Sequence, residues 1–123
     1  MTYADTDFFL ALIKEKDWLK SKAERLLEQY RGNIWTSIMT VTEVMLLSEG
    51  LKLDPERMVI DVVRIAELRG VDVRVPLLAA HFMNEYKLRT FDALHAAFSQ
   101  GDEILSSDKA FDKVGLKRIA LEG

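Results

Sequence analysis

Cysteine is absent from this chain of 123 residues. Disulfide staples, zinc–thiolate centres and cysteine nucleophiles are thereby excluded. No apolar run approaches the roughly 18 residues needed to span a membrane. The opening Met1-Thr2-Tyr3-Ala4-Asp5-Thr6-Asp7 has no basic stretch before an apolar core, so it does not read as a signal peptide. Together with the lack of cysteine, this is compatible with a cytoplasmic protein. Also missing are a Pro/Gly/Ser-rich linker, a low-complexity tract and a clear repeat. Residues 1–123 are therefore expected to form a single domain, long enough for a real core. Positive charge is not in excess: the formal net charge is −3. That argues against broad, charge-driven nucleic-acid binding but says nothing of local patches. Histidine is scarce, with only His81 and His95 present.

What is present is an ordinary globular balance, 49% hydrophobic and 30% charged. The apolar pattern alternates between short strand-like and longer helical segments. Strands are expected at residues 1–5, 33–37, 71–75 (ended by Pro76), 103–107 and 116–121. Helices are expected at 7–15, at 21–31 with a Ser21/Glu24 capping box, and from Thr40 to about Glu49, closed by Gly50. Asp54-Pro55-Glu56 starts another that runs to Arg69 and stops at Gly70. Further helices are expected at 77–87 and 91–100, the latter capped by Thr90, with a short helical turn at 109–114. Strands alternating with helices imply an α/β fold, a three-layer α/β/α sandwich around a mostly parallel sheet.

Four acids punctuate this pattern: Asp5, Glu43, Asp92 and Asp108. Each lies where a strand-like run ends or a helix-like run begins. In an open α/β sheet, ligands bind in the crevice beyond the carboxyl ends of the strands. Carboxylates gathered there repel one another unless a hard divalent cation neutralises them. Each acid also has a plain structural role. Asp5 and Asp108 suit helix caps, as Asp7 suits a first helical turn. Glu43 completes a capping box with Thr40, and Asp92 complements a helix dipole. Thr6 and Ser107 suit turns, with a water or phosphate as the alternative partner. His95, three residues after Asp92, reads as a packed, hydrogen-bonded histidine with an orienting role left open. Lys87, Arg89, Lys109 and Lys113 are candidates for phosphate contacts and equally suit solvated helix faces. The apolar clusters Phe8, Phe9, Leu12, Ile13 and Met45, Leu46, Leu47 exceed one helix face, and burial in the core is expected for most of them.

Four segments in order resemble the PIN-domain family. Tyr3-Ala4-Asp5-Thr6-Asp7-Phe8-Phe9-Leu10-Ala11-Leu12 is similar to its opening, where an Asp-Thr pair ends the first strand. Thr40-Val41-Thr42-Glu43-Val44 resembles its second acidic motif, and Phe91-Asp92-Ala93-Leu94-His95-Ala96-Ala97 its third. Ile104-Leu105-Ser106-Ser107-Asp108-Lys109-Ala110-Phe111-Asp112 resembles its fourth. The length suits the VapC-like toxins of toxin–antitoxin pairs. The resemblance implies an Mg²⁺- or Mn²⁺-dependent endoribonuclease with Asp5, Glu43, Asp92 and Asp108 as its acidic quartet. It also implies RNA as substrate, a homodimer, and a cognate antitoxin that covers the acidic site. Two positions depart from the family pattern. Asp7 stands where Asn or Ser is frequent, and Ala110 where some members carry another acid, with Asp112 as its replacement. A first metal position is thus better supplied than a second.

All-oxygen ligands select Mg²⁺ or Mn²⁺ over Zn²⁺. Both histidines fall in helix interiors, so a histidine pair acting on the 2′-hydroxyl is disfavoured. A metal-activated water is the better reading, and it implies 5′-phosphate and 3′-hydroxyl products. Other readings are a housekeeping RNA-processing PIN nuclease, a PIN domain that binds RNA or protein without cutting, and a receiver-like phosphoacceptor domain. The last is weakened because the mid-chain Asp54 precedes Pro55 and a helix instead of ending a strand.

Overall fold

Successive residues of a β-strand point to opposite faces of the sheet. In the computed structural model, which describes residues 1–122 except Val71 and Val73, this alternation splits the core in two. Tyr3, Trp35 and Ile104 belong to one apolar cluster; their neighbours Ala4, Ile34 and Leu105 belong to the other. All six side chains are at most 2% exposed. The strands are β1 (Thr2–Ala4), β2 (Ile34–Ser37), β3 (Glu67–Arg69), β4 (Ile104–Ser106) and β5 (Arg118–Ala120). They form one sheet in the order β3-β2-β1-β4-β5, with every pairing parallel.

Helices cover both faces, as a parallel sheet buried on both sides requires. The helices are α1 (Thr6–Ile13), α2 (Lys20–Tyr30), α3 (Ile38–Leu51), α4 (Pro55–Ile65), α5 (Arg74–Tyr86) and α6 (Thr90–Phe98). A 3-10 helix occupies Lys109–Val114. Helices α1 to α4 pack on the Ala4 face through Phe8, Phe9, Leu26, Val44 and Met58. Helices α5 and α6 pack on the Tyr3 face through Val75, Ala79, Ala96 and Phe98. Phe8 and Phe9 are fully buried, each contributing roughly 1.5–3 kcal/mol by area. Met45 and Leu46, however, are 52% and 65% exposed, with Leu47 also open to solvent. The expected burial of that run is corrected.

Because the strands are parallel, their carboxyl ends share one edge. The chain steps from β1 to β2 to β3 in one direction, then returns to place β4 on the other side of β1. That reversal is a topological switch point, which leaves a crevice between β1 and β4.

Several local expectations are corrected. The helix expected to reach Arg69 ends at Ile65, and Glu67–Arg69 pairs with Trp35–Ser37 as an edge strand. The Arg69 guanidinium lies 4.4 Å from the centre of the Trp35 ring, which helps hold that edge. Val71 and Val73, from the strand expected at 71–75, lie outside the described residues. Arg74 and Val75 are already helical, because Asp72 accepts the Arg74 amide at 2.8 Å and its carbonyl accepts the Val75 amide. Pro76 sits in the first turn of α5, where its missing N–H leaves no helical bond unmade. Helix α2 starts at Lys20, and Asp17, not Ser21, accepts the Leu19 amide before it. Gly50 does not close α3. Lys52 does so at φ 55°, with Lys52 N–H to Glu49 and Leu53 N–H to Ser48, a Schellman ending. Thr90 is the first residue of α6 and follows an Arg89 cap that makes no side-chain bond.

Candidate active site

Three strand-to-helix turns at the carboxyl edge are built alike. Asp5, Ser37 and Asp108 each have extended backbone and accept the amide two residues on. Short polar side chains do this readily, and it satisfies a free helix donor. The capping role read for Asp5 and Asp108 is thus real, and it places both acids at the crevice. Ser37 is the true cap of α3. The Thr40/Glu43 capping box is therefore corrected: α3 begins earlier, and Glu43 lies in its second turn. Thr40 is instead held by the Thr36 hydroxyl at 2.8 Å.

The crevice opens into a cleft of about 540 Å³ lined by Asp7, Glu43, Arg89, Thr90, Phe91, Asp92 and Asp108. Acids from α1, α3, α6 and the turn after β4 thus meet in one cavity. Asp5 does not line it and is buried, 4% exposed. Its Oδ2 accepts the Ser106 hydroxyl at 2.7 Å and its Oδ1 the Asp7 amide at 3.0 Å. Asp7 accepts the Ser107 hydroxyl at 2.7 Å. Glu43 Oε1 accepts from the Thr6 hydroxyl and stands 2.9 Å from His95 Nε2. His95 thereby serves Glu43 and not Asp92. Asp112 lies outside the cleft, paired with Arg118 at 3.1 Å. Of the four basic candidates, Arg89 lines the cleft; Lys87, Lys109 and Lys113 are exposed and do not. Asp54 caps α4 and does not line the cleft. A second cavity, of about 420 Å³ and lined mainly by Val75, Leu78 and Ala97 with Asp72 and Arg74, contains no candidate residue.

Crowding of these acids is visible in their proton affinity. Burial, then the Asp7 charge, holds the Asp5 carboxyl well above its ordinary range, against the pull of the Ser106 bond. Burial also raises Asp7, with the charges of Asp108 and Glu43 adding to it. Asp92 is pushed up to about 7, by burial first, then by a hydrogen bond to Asp108 and the charges of Asp108, Glu43 and Asp7. Glu43 goes the other way. Burial alone would raise it, but the bonds from His95 and Thr6 outweigh that and hold it below its usual range.

The donor set is all oxygen, which suits a hard divalent cation. The mutual repulsion of these carboxylates is what such an ion would relieve. Among the described residues, no three His, Asp or Glu side chains stand in a ready-made metal-holding group. Asp7, Glu43, Asp92 and Asp108 line the cleft without forming such a group.

Sequence reasoning missed Tyr3, Ser37 and Ser106. Ser106 carried a signal, a hydroxyl at a strand end two residues before an acid. Tyr3 carried none, since an aromatic residue in a strand usually reads as core.

The PIN-domain family model matches residues 2–117. The chain belongs to the PIN-domain family. Solved structures share the fold of this PIN domain at low identity. FitAcB from Neisseria gonorrhoeae superposes with a TM-score of 0.77 at 14% identity, covering 98% of each chain. VapC20 from Mycobacterium tuberculosis, a sarcin–ricin-loop-cleaving toxin, gives 0.76 at 18% identity, covering 94% of this chain and 96% of its own. A toxin–antitoxin complex from Klebsiella pneumoniae gives 0.71 at 19% identity, covering 89% and 88%. No curated protein matches the sequence significantly. Among the described residues, no helix of this PIN domain is long and apolar enough to cross a membrane.

Proposed function

We propose that this PIN domain is a divalent-metal-dependent endoribonuclease and the toxin of a toxin–antitoxin pair, acting in the cytoplasm. The observation that carries the reading is the meeting of Asp7, Glu43, Asp92 and Asp108 in one cleft, with buried Asp5 bonded to the Asp7 amide. Asp5, Glu43, Asp92 and Asp108 form the metal-holding and catalytic quartet, with Asp7 as a further oxygen donor in place of an acid at Ala110. When bound, Mg²⁺ or Mn²⁺ supplies an activated water and stabilises charge on the phosphoryl oxygens.

The chain's own residues set the geometry. Ser106 and Ser107 hold Asp5 and Asp7 by hydroxyl donation. Thr6 and His95 hold Glu43. Arg89 lines the cleft and is the basic residue we assign to a substrate phosphate. Lys87, Lys109 and Lys113 add at most diffuse positive charge around it.

Partners follow from the same cleft. An antitoxin would cover it, as the toxin–antitoxin assemblies among the structural relatives make reasonable. The exposed run Met45, Leu46 and Leu47 supports a homodimer. The deciding experiment is cleavage of a mixed structured RNA with Mn²⁺ or Mg²⁺, against Asp92→Asn and an EDTA control. Metal-dependent cutting that leaves 5′-phosphate and 3′-hydroxyl ends is expected. A 2′,3′-cyclic phosphate, or cutting that survives both EDTA and the substitution, would overturn the mechanism. Folded, antitoxin-free protein that binds Mn²⁺ and RNA without cutting would point to a non-catalytic PIN domain.

A further inference from the structure

One set of buried polar groups is not explained by capping or by the acids alone. Tyr3 OH lies 2.8 Å from Ser37 Oγ and 2.8 Å from His95 Nδ1, and His95 Nε2 lies 2.9 Å from Glu43 Oε1. Tyr3 and Ser37 are fully buried and His95 is 2% exposed. We infer that Tyr3 and His95 are positioning residues, a buried relay running from the cap of α3 through the sheet to fix Glu43 at the cleft. The inference rests on reading Glu43 as part of the metal-holding set.

The direction of each bond can be worked out. An ionised carboxylate only accepts, so His95 must carry a proton on Nε2 to bond Glu43. If His95 carries that single proton, Nδ1 is left to accept, and its hydroxyl partner among the described residues is Tyr3, so Tyr3 O–H donates to Nδ1. The Tyr3 oxygen is left to accept from Ser37 O–H. Ser37 Oγ meanwhile accepts the Met39 amide at 3.2 Å, at the start of the helix that carries Glu43. The chain Ser37 to Tyr3 to His95 to Glu43 thus runs one way, with each donor used. Among the described residues, no buried side-chain polar atom lacks a partner. Both contacts to Glu43 fall on Oε1, and Glu43 lines the cleft, so the second oxygen is not committed to them. A hydrogen bond to the far nitrogen of a histidine fixes its tautomer and the aim of the group it holds.

The geometry predicts an energetic link between Tyr3 and Glu43, which do not bond one another. The test uses two readouts at fixed pH. The first is the two-bond proton–nitrogen spectrum of the imidazoles in metal-free protein, with exposed His81 as internal reference. Wild type should show His95 as the Nε2–H tautomer, and Tyr3→Phe should introduce the Nδ1–H form while His81 is unchanged. An Nδ1–H His95 in wild type, or a His95 signal indifferent to Tyr3→Phe, would overturn the relay. Tyr3→Phe keeps the ring that meets Trp35 edge-on at 4.9 Å, and the wild-type spectrum needs no variant.

The second readout is Mn²⁺ affinity by electron paramagnetic resonance. Tyr3→Phe should weaken it several-fold in the wild-type background and have no effect beside Glu43→Gln. Equal losses in both backgrounds would mean a general structural effect and no relay. If wild type takes up no Mn²⁺, the metal-dependent nuclease reading fails, and the tautomer spectrum still decides the relay.

Discussion

Ser106 and Asp5 meet across the β1/β4 seam, the Ser106 hydroxyl donating to Asp5 Oδ2 at 2.7 Å while Ser106 Oγ accepts the Asp108 amide at 2.9 Å. One side chain thus ties two acids of the candidate quartet to one strand end. Ser106→Ala should destabilise the protein by about 1–3 kcal/mol, the usual cost of leaving buried polar groups without a partner. The bond lowers the Asp5 proton affinity, so it favours the ionised form. The loss should therefore be greater at pH 8 than at pH 5, as read by urea denaturation at both.

Metal-free stability should fall as pH rises. Asp5, Asp7 and Asp92 all bind protons more tightly in the folded protein than their ordinary value of 3.8. For such groups the stabilising contribution is complete below the unfolded value and is lost as pH climbs through the folded one. The window for Asp92 runs from 3.8 to about 7. Asp92→Asn should flatten the curve across it, as measured by denaturant titration in EDTA.

Divalent metal should reverse that trend. An ion in the cleft competes with the proton on Asp92, whose carboxyl is pushed up to about 7, so Mn²⁺ should bind more tightly at pH 8 than at pH 6 and release protons on binding. Calorimetry in two buffers of different ionisation enthalpy measures the release. Proton uptake, or no pH dependence, would contradict it.

Asp108→Asn should abolish the proposed RNA cleavage more severely than the roughly 10–100-fold loss typical of an outer-shell partner. Asp112→Asn should leave cleavage near wild type, since Asp112 is exposed and engaged with Arg118. Initial rates on one RNA compare the two directly.

Among the basic residues, Arg89→Ala should weaken RNA binding and reduce the salt slope by about one, as for a single phosphate contact. Lys113→Ala, outside the cleft, should do less. Filter binding at several salt concentrations separates them. Equal effects would mean diffuse charge attraction and no built phosphate site.

The sequence by itself determined the alternation of strands and helices, and with it the parallel sheet, because apolar periodicity reports directly which face of a segment is buried. It also placed Asp5 and Asp108 at strand-to-helix turns, since capping is a local bond between residues two apart. Tertiary structure decided what depends on groups distant in the chain. The edge strand Glu67–Arg69 exists because β2 offered an unpaired backbone and Trp35 a ring for Arg69; read locally, the segment continues a helix. Glu43 gained its partners Thr6 and His95 only through folding, 37 and 52 residues away in sequence. The shifted carboxyls of Asp7 and Asp92 likewise arise from burial and from charges on other elements. Local pattern fixes which elements form, whereas burial and Coulomb forces act through space, and only the assembled sheet edge sets those distances.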